Sequence, residues 1–281
     1  MEIDEQKHQE RLEVLKRIEQ YEKEKRWDVD GENDPPAPVL MPDKVDFLHQ
    51  KWTSRIARRF AFAGATRYMK KILKNKQLII EDVVGLENLS SVTTGKIISC
   101  NHFNAMDTFA VQYATLKAGI KKTDLYRVIR EGNYTNFPGF YGMLMRHCNT
   151  LPLSSNMETM KLFYRAVEAV LRWDKTLVVY PEKAMWWNYK KPRKIKDGVF
   201  KMSFRTGVPV VPMFITMRDS EIMGDDGFYI QKYTIHIFPA IYPDPEKTRA
   251  ENIAIMHKKN FEYWKNCYES FYDTKYDLDI E

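Results

Sequence analysis

His102 and Asp107 are the residues of this sequence best suited to acid–base chemistry. His102 ends an apolar run that begins at Lys96, and Asp107 precedes a helical pattern over Thr108–Lys117. An aspartate that accepts a hydrogen bond from one imidazole nitrogen fixes the tautomer and leaves the other nitrogen as a general base. Such a base would deprotonate a hydroxyl that attacks an acyl carbonyl, without a separate serine or cysteine nucleophile. An aspartate at the start of a helix is also an ordinary capping residue, and this interpretation stays open.

The positions of these two residues depend on the elements around them. Apolar, β-branched runs predict buried strands, and residues spaced at helical periodicity between them predict helices. This alternation predicts an α/β domain with a mainly parallel, mixed sheet flanked by helices, and ligands bind beyond the carboxyl ends of such strands, where His102 lies. The predicted strands are Lys96–His102, Thr176–Glu182, Val208–Met217 and Tyr233–Pro243, and the predicted helices include Met157–Trp173 and Val199–Arg205.

The segments outside this α/β domain differ in composition. Residues 1–27 predict a charged, narrowly amphipathic helix, and residues 28–46 form a linker rich in proline and acid. The α/β domain covers residues 81–272, and residues 273–281 form an acidic tail after it.

Residues 47–80 contain nine Lys or Arg and no Asp or Glu, with Trp52, Ile56 and Phe60 on one helical face. This basic amphipathic segment suits a helix at the surface of an anionic membrane. A helix packed on the core with a basic outer face is the alternative.

Composition limits the partners without choosing among them. The chain of 281 residues carries a net charge of +6, so nucleic acid, anionic lipid and a phosphorylated substrate are all plausible partners. Its three cysteines are far apart and have no metal-ligand spacing, which favours a reducing compartment and predicts no metal site. The acidic N-terminus does not resemble a signal peptide, and no apolar run is long enough to span a bilayer. A protein of this kind that meets a membrane would be peripheral.

The loop "YPEKAMWWNYKKPRKIKDG" (residues 180–198) combines two tryptophans with a dense cluster of cations. It would suit stacking and phosphate contacts with nucleic acid, a membrane contact, or the wall of an active site. In the active-site interpretation, Trp186 and Trp187 face lipid or cover the site.

Four ordered segments carry a family resemblance, and they span Asn101 to Met213. They resemble the motifs of the glycerolipid acyltransferases, the lysophospholipid acyltransferase family typified by 1-acylglycerol-3-phosphate acyltransferase, whose first motif is HxxxxD. The segments are "NHFNAMD", "FPGFYGMLMRHCNTLPLS", "VVYPEKA" and "VPVVPM". Nucleic-acid binding leaves both the His–Asp pair and this order of segments unexplained, so we expect no nucleic-acid partner.

The resemblance implies transfer of a fatty acyl group to a lysolipid hydroxyl. The donor would be a thioester of coenzyme A or acyl carrier protein, acting as a co-substrate with no further cofactor, and the protein would work at the cytoplasmic face of a membrane. His102 would be the base and Asp107 its orienting partner. Glu182 would support the acceptor site, and Pro212 would shape the wall that binds the acyl chain. A catalytically weak membrane-surface scaffold that retains the fold is the alternative.

The sequence departs from the family pattern in its second and third motifs. Asn149 and Ser155 stand where the family has a glycine and an arginine, and Ser155 with Glu158 predicts a capping box for the helix that follows. In the third motif, Gly, Thr and Arg are replaced by Lys183, Ala184 and Met185. Both changes remove arginines expected near an acceptor phosphate. The cations predicted to replace them are Lys183, Arg193 and Arg130.

Overall fold

Seven strands form one sheet in the computed structural model, which describes residues 3–279. The order across the sheet is β1-β7-β6-β2-β5-β3-β4, and every neighbouring pair is parallel except β6 and β7. The predicted mixed, mainly parallel α/β fold is therefore confirmed. The strands are β1 (Ile79–Val84), β2 (Lys96–Cys100), β3 (Leu125–Ile129), β4 (Thr150–Pro152), β5 (Thr176–Val179), β6 (Val210–Met223) and β7 (Tyr229–Ile237).

Helices cover both faces of the sheet. In chain order, the helices of the described residues are α1 (Glu5–Lys23), α2 (Trp52–Lys74), α3 (Leu86–Ser90), α4 (Asp107–Lys117), α5 (Glu131–Thr135), α6 (Gly139–His147), α7 (Met157–Arg172), α8 (Gly198–Thr206) and α9 (Arg249–Tyr272). The predicted strands and helices are present with ends shifted by a few residues. The exceptions are β6, which runs six residues beyond the predicted Met217 because it pairs antiparallel with β7, and β7, which ends at Ile237, six residues before the predicted Pro243.

Alternate residues of the central strands supply two hydrophobic cores. Ile97 of β2 packs with α7, α8 and α9 on one face, whereas Ile98 packs with α2, α3 and α4 on the other. Side chains of a strand alternate between faces, so a central strand covered on both sides is apolar throughout, and every residue of β2 is buried. The strand that leads to His102 is thus fixed by packing from both sides.

The acid-rich segment interpreted as a linker is packed against the domain. We call residues 28–46 the strap. The backbone carbonyl of Val29 accepts the indole N–H of Trp186 at 2.7 Å, and Leu40 is buried, with its N–H donated to Glu131 at 2.6 Å. The strap therefore runs from the loop after β5 to the start of α5, at the end of the sheet where the strands have their carboxyl ends.

Helix α1 also belongs to the folded body. Val14 and Ile18 are buried in a cluster with Trp27, Trp186 and Trp187. The predicted helix is present, but it packs on the basic loop instead of lying apart from the domain.

Candidate active site

His102 and Asp107 meet just beyond the carboxyl end of β2. The Nδ1 atom of His102 lies 2.6 Å from Oδ2 of Asp107, and the histidine side chain is 23% exposed whereas the aspartate side chain is 1% exposed. An ionised Asp107 accepts a hydrogen bond from Nδ1–H and leaves the Nε2 lone pair free for a proton. The arrangement is that of a general base with its orienting carboxylate.

Asp107 is the first residue of α4, yet its carboxylate does not cap that helix. Its Oδ2 atom also accepts the backbone N–H of Phe103 at 3.1 Å, so the carboxylate faces back to the first motif. The turn between β2 and α4 brings the two ends of the motif together. The capping interpretation of Asp107 is therefore wrong, and the pairing interpretation fits the geometry.

Glu182 fixes the backbone of the histidine. Its carboxylate accepts the N–H of His102 at 2.9 Å and pairs with the guanidinium of Arg193 at 2.9 Å. Both side chains of this ion pair are buried, at 2% and 1% exposed. A buried carboxylate held in this way positions His102 from within the fold and is not free to contact an acceptor.

Arg193 does not reach solvent, so its prediction as a headgroup ligand was wrong. Besides Glu182, the guanidinium donates to the backbone carbonyls of Trp27, His102 and Ala184, at distances down to 2.5 Å for Ala184. The Cζ atom of Arg193 also lies over the indole of Trp186, 4.7 Å from the ring centroid. Arg193 therefore connects the basic loop with the segment after α1 and with the first motif.

The two tryptophans of the basic loop are buried as well, with Trp186 at 0% and Trp187 at 9% exposed. The lipid-facing interpretation of these residues was wrong. The loop instead holds the first motif: the Asn188 N–H donates to the carbonyl of Phe103 at 2.9 Å, and the Asn104 amide donates to the Asn188 side chain at 2.7 Å. The buried aromatic residues of this loop therefore hold the first motif in place from the interior of the fold.

Tyr180 stacks on the imidazole of His102, with ring centroids 4.4 Å apart and planes 25° from parallel. Burial raises the pKa of Tyr180 well above its usual range, and the nearby Asp107 carboxylate raises the pKa further, so the phenol stays neutral. The stack limits rotation of the imidazole. Sequence reasoning missed this contact, although a tyrosine that ends a strand beside the strand of His102 was a usable signal.

Cys100 is not a nucleophile in this arrangement. The thiol is fully buried in the core beneath α4, and burial raises its pKa well above the usual value. The alternative of a thiol attacking the substrate loses its support.

Lys183 is exposed at the rim of the site. Its side chain is 62% exposed, and its backbone adopts the left-handed region with a φ of 71°. Asn149 has a φ of 54° and likewise stands where the family has glycine. The chain keeps the backbone conformation that glycine favours while it changes the side chain, which costs about 1 kcal/mol for a residue such as lysine.

Arg130 lies at the start of α5, beyond the end of β3. Its guanidinium pairs with two carboxylates of the strap, those of Asp30 and Asp34. Sequence reasoning missed these partners because the strap looked like a linker. The density of acid in the strap, opposite a cationic loop of the same chain, was the signal.

Pro212 is buried near the start of β6, and its neighbour across the sheet is Ser99 of β2.

Ser155 does not cap α7, so the predicted capping box was wrong: Asn156 is the N-cap and accepts from the N–H groups of Glu158 and Thr159. The Ser155 hydroxyl instead donates to Glu131 at 3.0 Å.

Comparison with known proteins agrees with this geometry. Residues 81–216 match the model of the Acyltransferase family. The fold is similar to the crystal structure of the 1-acyl-sn-glycerophosphate (LPA) acyltransferase PlsC from Thermotoga maritima, with a TM-score of 0.53, 19% identity, and coverage of 82% of this chain and 87% of that one. A search of curated proteins found no match.

The fold and the strand-end His–Asp pair define the class: an acyltransferase-type α/β protein. The region that matches the Acyltransferase family model, just under half of the chain, contains His102, Asp107, the third motif and Pro212.

Proposed function

We propose that this protein transfers a fatty acyl group from a thioester, of coenzyme A or acyl carrier protein, to the hydroxyl of a lysophospholipid-type acceptor. The observation that carries the proposal is the contact of 2.6 Å between a partly exposed imidazole and the buried carboxylate of Asp107. The family and the fold support acyl transfer to a lipid acceptor.

In the proposed mechanism His102 is the general base. Its Nε2 atom takes the proton of the acceptor hydroxyl as the oxygen attacks the thioester carbonyl, and Asp107 stabilises the imidazolium that forms. The tetrahedral intermediate collapses with cleavage of the carbon–sulfur bond, and the departing thiolate takes the proton from Nε2. The products are the acylated lipid and the free thiol of the carrier. Pro212 is proposed to shape the wall that binds the acyl chain.

The membrane contact is proposed to form on α2. The apolar stripe predicted on this helix points outward: Trp52 is 72% and Phe60 is 69% exposed, whereas Phe62 and Ile72 pack inward. Exposed large apolar residues beside Arg55, Arg59 and Arg67 suit the boundary between headgroups and acyl chains of an anionic membrane. Among residues 3–279, no helix is both long and apolar enough to cross a bilayer. We therefore propose peripheral attachment at the cytoplasmic face.

The acceptor is proposed to carry an anionic headgroup, which Lys183 and Arg130 would contact. Both cations lie near the third motif and both side chains are partly exposed, at 62% and 38%. Replacing Lys183 by alanine is expected to raise the apparent KM for the acceptor, with kcat little changed because the lysine does not touch the His–Asp pair.

The test is acyl transfer by the purified protein. Coenzyme A and acyl carrier protein thioesters would be offered with a panel of lysophospholipids, glycolipids and monoacylglycerol, and the His102→Ala variant would serve as the matched control. The proposal requires transfer to at least one lysolipid by the wild type and loss of that transfer in the variant. A folded wild type that acylates no acceptor with either donor would instead favour a catalytically weak membrane-surface scaffold.

A further inference from the structure

The strap places one carboxylate between two groups that bind anions. One oxygen of Asp30 accepts the backbone N–H of Met185 at 2.8 Å, and the other pairs with the guanidinium of Arg130. Met185 belongs to the third motif, in a position where the family has an arginine expected near the acceptor phosphate. A backbone N–H and a guanidinium that converge on one anion are the donors from which phosphate sites are built.

The acids on either side of Asp30 extend the same pattern. Asp28 lies 3.5 Å from the Nζ atom of Lys183 and 3.3 Å from that of Lys196. The Asp34 carboxylate pairs with the second terminal nitrogen of the Arg130 guanidinium. Three carboxylates of the strap therefore face three cations at the rim of the site. The charges balance, so an incoming anion meets no net positive charge while these pairs persist.

We infer that Arg130, Lys183 and the Met185 N–H form a binding site for a phosphate-bearing headgroup, and that the Asp30 carboxylate occupies this site as an internal competitor, assisted by Asp28 and Asp34. The identification of this anion as the headgroup of the acceptor rests on the proposed acyl transfer to a lysolipid. Within this framework, the strap sets how strongly an anionic acceptor is preferred over a neutral one.

The exchange requires movement of side chains and not of the whole strap. The backbone of the strap is held by the bond from Trp186 to Val29, by the bond from the Gly31 N–H to the carbonyl of Met185 at 3.2 Å, and by the buried Leu40. The ion pairs themselves are partly exposed, with Lys183 at 62% and Lys196 at 48%, and exposed pairs are weak and sensitive to salt. A phosphate can therefore displace the carboxylates while the strap stays docked.

The experiment measures binding of glycerol 3-phosphate, a soluble phosphate headgroup, to the full chain by isothermal titration calorimetry. The variant Asp28→Asn/Asp30→Asn/Asp34→Asn removes the competing charge, and asparagine keeps an oxygen for the Met185 N–H. It should bind at least tenfold tighter than the wild type. Adding Arg130→Gln should abolish this gain, and glycerol, which lacks the phosphate, should show no gain. The matched control is Asp43→Asn, a strap acid that pairs only with its exposed neighbour Lys44 among the contacts described, and it should bind like the wild type.

Unchanged or weaker binding by the folded triple variant would overturn the inference. If the triple variant does not fold, Asp28→Asn/Asp34→Asn leaves the bond from Met185 intact and should still bind at least threefold tighter, and no gain there would overturn the inference equally. Acyl transfer to the same panel of lysolipid acceptors, measured on the same proteins, separates the two claims. A gain in binding without transfer by any of the proteins contradicts the proposed function alone, whereas transfer by the wild type without a gain in binding contradicts the inference alone.

Discussion

The Glu182 carboxylate accepts the backbone N–H of His102 at 2.9 Å, although the two residues are 80 positions apart in the chain. The same carboxylate is paired with Arg193 in the interior. The glutamate of the third motif thus fixes the backbone of His102, while Asp107 contacts its imidazole. Two buried carboxylates therefore hold one histidine.

Replacing Glu182 by glutamine should destabilise the fold strongly. The variant leaves the buried guanidinium of Arg193 without its counter-charge, and breaking a buried pair on one side costs about 3–5 kcal/mol. Urea denaturation at pH 7 should show this loss in the free energy of unfolding. The control is Glu168→Gln, which breaks the more exposed pair with Arg205 and should cost less than about 1 kcal/mol. Equal losses in the two variants would contradict the conclusion that the buried pair of Glu182 and Arg193 is costly to break.

Replacing either Trp52 or Phe60 by serine should weaken attachment of the protein to membranes. Burying a large aromatic side chain contributes about 1.5–3 kcal/mol, so each substitution should lower the partition coefficient onto anionic vesicles by about tenfold or more. Co-sedimentation with vesicles of mixed neutral and anionic phospholipid measures this. Trp173→Ser is the matched control, because Trp173 is 51% exposed but follows α7 on the other face of the sheet. Binding lost equally in the control would show that α2 is not the contact surface.

Acid should destabilise the protein through His49. Burial, assisted by the nearby Arg58, lowers the pKa of His49 to about 4. The unfolded chain has the ordinary pKa of about 6.5 and binds a proton more readily, so the stability that the neutral imidazole contributes is present above pH 6.5 and is lost as pH falls from 6.5 towards 4. The loss between pH 7 and pH 5 should be about 2 kcal/mol for this residue.

The variant His49→Asn isolates that contribution, because asparagine tolerates the left-handed backbone of this position, where φ is 51°. Urea denaturation at pH 7 and pH 5 should show a drop in unfolding free energy about 2 kcal/mol smaller than that of the wild type. Identical drops in both proteins would contradict the assignment. The variant still loses some stability in acid, because it retains His236, whose pKa burial also lowers to about 4.

The sequence was sufficient for the sheet and for the His–Asp pair because both depend on local signals. Runs of apolar residues identify β2 and β5, and the spacing within "NHFNAMD" spans one strand-to-helix turn. A histidine at the end of a buried strand follows from that local order. The antiparallel extension of β6 was missed because residues 218–223 are mainly polar and exposed, which hides the strand pattern, although the partner strand β7 begins only six residues later.

The partners of the cations could not be predicted, because they come from segments far apart in the chain. Arg193 looked like a member of a solvated basic loop, yet its guanidinium also donates to the backbone carbonyls of Trp27 and His102, 166 and 91 positions away. Arg130 looked free, yet it meets acids about one hundred positions earlier. Composition shows the presence of charge, whereas burial and pairing depend on tertiary contacts.

The most direct test of the central claim compares kcat/KM for acyl transfer by the wild type and by His102→Gln, with circular dichroism to establish that both are folded. General-base catalysis contributes about 10² to 10⁴ in rate, so the variant should be about a thousandfold slower with the acceptor that the wild type uses best. A folded variant within threefold of the wild type would contradict the assignment of His102 as the base.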